Sequence, residues 1–159
     1  MLRVLGIAFL VILVSVGMFF AWAFQQYKSA GSYVSLVVPA IFNEWDLDAL
    51  NQRASEELSN DPQFRSNAPR MFQMLGTALG KLKRTQEPEG TAGYNWGDVS
   101  PAKGTYADYL IRAEFERGEA ELRLLLVRER GAWKIRGFNV NSPALARGGN
   151  EVRAEYKTL

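Results

Sequence analysis

The chain has 159 residues, with 19 Lys and Arg against 17 Asp and Glu, and it contains neither His nor Cys. Lacking Cys, it offers no lipid-modified cysteine, disulfide or thiolate metal ligand; lacking His, it offers neither the usual general base nor most transition-metal sites. Beyond Arg3 the charges balance and alternate, as in Arg112, Glu114, Glu116 and Arg117, which describes a solvated surface rather than a phosphate-binding face, so neither a nucleic-acid partner nor a cofactor is expected.

The first element is an apolar run from Val4 to Phe24 without a charge, interrupted only by Gly6, Ser15 and Gly17. As a helix it is about 30 Å long, the thickness of a bilayer core, and longer than the apolar stretch of a typical secretory signal. The triplet Ala21-Trp22-Ala23 has the small-x-small form of a cleavage site, but the run passes straight through it to Phe24. A retained anchor over residues 1–28 is therefore expected, with residues 4–24 in lipid and Trp22 and Tyr27 at the interface. Arg3 and the terminal amine lie at one flank and Lys28 at the other. This small bias favours a cytoplasmic N-terminus and a domain across the membrane, the periplasm in a Gram-negative cell. Gly17 and Ala21 form a small-xxx-small pair, a weak signal for a homodimer of spans.

Residues 29–33 read as a flexible joint. Val34, Val37, Val38, Ile41 and Phe42 then recur at helical spacing, with Pro39 inside the pattern kinking the helix or opening a new one. Asp46 is a plausible N-cap for a helix near Leu47–Leu58, whose stripe is Leu47, Leu50, Ala54 and Leu58. The turn-forming stretch SNDPQFRSNAP reads as a connector, and Pro69 as the first position of a helix Pro69–Leu82 that could end early at Gly80. Short strands are expected around Lys81–Gln86 and Thr91–Trp96.

From Thr105 the period changes to two. Thr105, Ala107, Tyr109, Ile111, Ala113 and Phe115 alternate with mostly polar residues, and Arg117-Gly118 and Arg130-Gly131 separate three such runs. That predicts an antiparallel meander. In the last run Trp133 and Ile135 fall on one face but Phe138 and Val140 on the other, and a bulge at Gly137 would reunite them. The domain is read as residues 34–143. Residues 144–159 have no clean period and are expected to be a tail or a short helix.

The order of helices followed by a curved meander is that of the nuclear-transport-factor-2-like (cystatin-like) α+β fold. The stretches NEWDLDALNQRASEEL and RGAWKIRGFNVNSP resemble those of small bacterial envelope domains of unknown function in that group. The resemblance implies helices packed on a concave sheet, sometimes around a pocket. Enzymes of this fold usually place Asp and His, or Tyr and Asp, there, and the chain has no His. The plan of one span joined to such a domain is also similar to the inner-membrane scaffold proteins of type IV secretion, at the level of fold only.

Two groups of residues are singled out. Tyr94 and Trp96, in the Gly-bearing segment AGYNWGD, form a candidate partner contact, because exposed aromatics dominate binding hot spots. Tyr106, Asp108 and Tyr109 form a candidate pocket, although Asp108 on an alternating strand is more simply a solvated residue. Trp45 reads as a hydrophobic staple and Trp133 as core. The expectation is a non-enzymatic membrane protein presenting its domain to other membrane or periplasmic proteins. The alternative is a binding module for a small apolar or amphipathic molecule, and an enzyme without His comes third.

Overall fold

The structure, a computed structural model, describes residues 2–97 and 103–147; within the first helix, side chains are described at 10–18, 21, 25 and from 28 onward. The elements are α1 (Leu2–Phe42), α2 (Leu47–Asn51), α3 (Glu56–Asn60), α4 (Pro62–Leu79), β1 (Leu82–Thr85), β2 (Glu89–Asn95), β3 (Gly104–Phe115), β4 (Gly118–Glu129), β5 (Ala132–Asn141) and α5 (Pro143–Arg147). This is an α+β architecture, with helices on an open five-stranded antiparallel sheet. The anticipated tail at 144–159 begins as α5, and its remainder lies outside the described residues.

α1 is one helix from the apolar run into the domain, so the anticipated joint at 29–33 is a helical segment. Ser and Gly are poor helix formers there, at up to about 1 kcal/mol each, and packing overrides them. Ala30 is fully buried, the Tyr109 hydroxyl lies against Gly31, and Trp133 Nε1 donates to Ser29 Oγ at 2.9 Å. Pro39 stays inside the helix. Its missing N–H leaves the Ser35 carbonyl without a donor, but both residues are exposed and water can serve that group. Among residues whose side chains are described, no helix is long and apolar enough to cross a membrane. The apolar side chains described on its first half, Leu10 to Met18, are exposed.

α2 starts where its cap predicts: the Asp46 carboxylate accepts from Ala49 N at 2.9 Å. It stops after one turn and a half, short of the anticipated Leu58, because the next residues pair with the sheet. Ile135 N donates to Arg53 O, and Ser55 N donates to Ile135 O, each at 2.8 Å. Ser55 then caps α3 by accepting from Leu58 N at 3.1 Å.

α4 begins at Pro62 rather than Pro69. Asp61 accepts from Gln63 N at 2.8 Å, and Pro62 occupies the first turn, where its missing donor is no loss. Pro69 is an exposed interior residue. The helix ends at Gly80, whose φ of 73° lies in the left-handed region.

In the sheet, β5, β4 and β3 are sequential neighbours, and β1 and β2 share the other edge of β3. β2 pairs with Gly104–Leu110 and β1 with Ala113 to Phe115. The inner face is apolar: Tyr109, Ile111 and Phe115 from β3, Leu122, Leu124 and Leu126 from β4, and Trp133, Ile135, Phe138 and Val140 from β5 are all buried. The last four share a side because the register shifts between Leu125 and Leu126: Leu125 faces Gly137 while Leu126 faces Ile135, leaving Arg136 as the extra residue. The bulge read from the sequence is present.

The helices cover this face with Val34, Val37, Val38, Ile41 and Phe42 of α1 and Phe64, Phe72, Leu75 and Leu79 of α4. Trp45 closes the far end. It packs on Phe42, Phe72 and Phe115 at centroid distances of 5.4 to 6.0 Å and donates from Nε1 to Gly80 O at 2.8 Å. Its role is tertiary, wider than a local staple. It holds a φ of 54°, costly for a bulky residue, and these contacts offset that.

Candidate functional site

Tyr94 and Trp96 sit together at the end of β2. Their ring centroids are 4.6 Å apart, and Trp96 is 87% exposed and Tyr94 46%. In β2 the residues opposite Tyr109, Ala107 and Thr105 are Gly90, Ala92 and Tyr94. Tyr94 therefore lies on the same face of the sheet as the buried residues of β3 and α1, yet past the point where the core covers it. Asn95 Oδ1 accepts from Gly97 N at 3.0 Å, giving the end of the strand a local turn.

The three residues of the anticipated pocket do not converge. Tyr109 is buried on the inner face against α1, while Tyr106 and Asp108 lie on the outer face by strand alternation. Tyr106 lies over Gly93, whose missing side chain leaves room for the ring. Asp108 is engaged by Arg123: Arg123 Nε donates at 2.9 Å and Nη2 at 2.5 Å to the two carboxylate oxygens. That hydrogen bond and the opposite charge hold Arg123 above its ordinary pKa. The pair belongs to a ladder on the outer face with Arg112–Glu89, Arg112–Glu121 and Arg84–Glu114.

Two open grooves border the domain. One, about 400 Å³, runs along the outer side of the sheet between Arg84, Arg112, Glu121 and Pro143. The other is lined by Trp45, Phe72, Gly76, Lys81 and Glu116 at the far end. At its rim Lys81 donates to Glu44 at 2.7 Å, and this hydrogen bond raises the Lys81 pKa. Inside the domain, half-buried Tyr33 has its hydroxyl pKa raised by desolvation, against the lowering effect of Arg53. Among the described residues, no buried side-chain polar atom lacks a hydrogen-bond partner, and no three acidic side chains gather as a metal site.

The sequence reading missed the basic residues at the end of the sheet that carries Trp96: Lys28 on α1, Lys103 before β3, and Arg128 and Arg130 around the β4–β5 turn. Their grouping depends on strand register, which composition does not reveal. Arg130 is paired with Glu56, and Arg128 lies over the Trp133 ring at 5.6 Å. No family model, curated protein or solved structure matches the chain.

Proposed function

We propose that the chain is a non-enzymatic single-span membrane protein that presents its α+β domain to other membrane or periplasmic proteins. The span is the uncharged run Val4–Phe24, the N-terminus is cytoplasmic, and the domain stands in the periplasm of a bacterial cell. The observation that carries this reading is the continuity of α1: the helix that begins with the uncharged run ends with its side chains packed into the domain core. Such a helix couples whatever holds its first half to the domain as one rigid piece. The lack of His and Cys, the pairing of Asp108 with Arg123 and the divergence of Tyr106 from Tyr109 support a contact role over catalysis. The order of helices and curved meander supports membership of the nuclear-transport-factor-2-like group.

Fractionation of the full chain from its native membranes, with alkaline carbonate extraction, tests the anchor. The chain is expected to stay with the membrane and to keep its N-terminus. Release by carbonate, or a mature chain starting at Phe24, sinks the reading. Photo-cross-linking in intact membranes then tests for neighbours: discrete adducts with other envelope proteins are expected, and their absence from every exposed position of the domain removes the contact role.

A further inference from the structure

We infer that the end of the β2–β3 hairpin, carrying Tyr94 and Trp96, rests in the interface of the same bilayer that holds α1, making a second point of membrane contact. The inference rests on the anchor reading above and assigns the exposed aromatic pair to lipid rather than to a protein.

Position along the helix is the first support. β3 is tied to α1 at Tyr109, whose hydroxyl lies against Gly31. Farther along, Phe115 packs on Trp45, just past the end of α1. The two therefore run in the same direction. Going back from Tyr109 to Gly104 covers at most about 17 Å along the strand, equivalent to roughly eleven residues of helix. Gly104, and with it Asn95 opposite, thus lies no deeper than the level of Phe20. A second tie bounds the other side. Trp133 is opposite Arg128, one residue beyond the Tyr106–Val127 pair, and it bonds to Ser29. The strand end carrying Trp96 therefore falls between the levels of Phe20 and Ser29, where the uncharged run ends and Gln25, Gln26 and Lys28 begin.

Direction is the second support. Tyr94 is on the sheet face that α1 covers, so the pair is on the anchor's side of the sheet. Chemistry is the third. Tyr and Trp favour the headgroup level, where the ring is sheltered and the polar edge stays wet. The 87% exposure of Trp96 is expensive in water and natural at such an interface. Lys28, Lys103, Arg128 and Arg130 gather at the same end, together with Glu129 and Glu56, which supply counter-charge. The excess of bases suits phospholipid headgroups.

Because the chain has no Cys, single labels can be placed without background. The full chain is reconstituted in phosphatidylethanolamine–phosphatidylglycerol vesicles with a nitroxide at Gly97→Cys, which leaves Tyr94 and Trp96 intact. Collision with oxygen and with a water-soluble nickel chelate is then measured. Leu13→Cys in the apolar run and Gln73→Cys on the exposed side of α4 are the references. The expected result is that nickel accessibility at position 97 falls several-fold below that at 73 but stays above that at 13, and that adding Trp96→Ser and Tyr94→Ser returns it toward the value at 73. If position 97 matches 73 while 13 is protected, the anchor stands and the hairpin contact is overturned. If 13 is also open to nickel, the anchor fails and the inference with it. Protection at 97 in native membranes but not in vesicles assigns the pair to a protein partner and overturns the lipid contact. Protection that persists after both aromatics are removed overturns it as well.

Discussion

Single residues separate packing from display most clearly at the tryptophans. Trp133 is 7% exposed, and its indole both fills the core and ties β5 to Ser29. Trp133→Ala is expected to cost about 3–5 kcal/mol, measured by denaturant melts of the detergent-solubilised chain, with Trp133→Phe retaining part of the loss. Trp96→Ala, which removes an exposed ring from the same molecule, should change stability by less than about 0.5 kcal/mol in that assay. A loss of several kcal/mol there would make Trp96 a core residue and end its candidacy as a contact. Gly90 is a third informative position. A Cβ there would stand 2.1 Å from the Asp108 carbonyl, a backbone atom that cannot swing aside. Gly90→Ala should therefore destabilise by about 1–3 kcal/mol or more through overpacking, whereas Asp108→Ala, breaking a largely exposed pair, should cost under about 1 kcal/mol. The sequence made Trp133 legible through alternation. It could not show that Asp108 faces Arg123, because a diagonal pair exists only once register is set.

At the scale of elements, what was local in origin could be read and what was tertiary could not. The Asp46 cap, the three-stranded meander and the bulge before Phe138 all follow from neighbours in sequence. The bulge was visible because four large apolar residues changed parity around a glycine. The end of α2 was hidden, since Arg53 and Ser55 leave the helix to bond Ile135, some eighty positions away. The start of α4 was misread for a different reason: SNDPQFRSNAP is rich in turn formers, but Asp61-Pro62 is itself a helix-opening pair, and Pro69 is tolerated on an exposed face. The joint was misread because Ser and Gly lower helix propensity by amounts that a bonded, buried contact exceeds. The bulge makes a prediction at this scale. Deleting Arg136 removes the extra residue and leaves Trp133, Ile135, Phe138 and Val140 alternating onto one face in plain register, so the shortened strand should keep a cooperative thermal transition. A residue inserted between Gly137 and Phe138 instead turns Phe138 and Val140 toward the opposite face and should broaden it.

For the whole molecule, the last part of α1 is a structural member of the domain. Val34, Val37, Ile41 and their neighbours are at most 1% exposed, and together with the apolar side chains of α4 they form the layer that covers the inner face of the sheet. A chain beginning at Lys28 is expected to fold and melt cooperatively by circular dichroism, while one beginning at Glu44, with the α1 part of this layer removed, should not fold. Independent folding from Glu44 would show that α1 is only an adjunct. The candidate pocket dissolves at this scale as well: the space under the sheet is occupied by α1 side chains, with Tyr109 held against the helix rather than lining a void.

An unbroken α1 also acts as a shaft with a fixed phase. Each residue added to a helix advances it by about 1.5 Å and rotates everything beyond it by about 100°. One residue inserted between Gln25 and Lys28 would thus swing the hairpin end carrying Trp96 more than a quarter turn around the axis, two would send it to the far side, and three or four would bring it nearly back. Compass bearing, as well as height, is written into the spacing between the apolar run and Ser29.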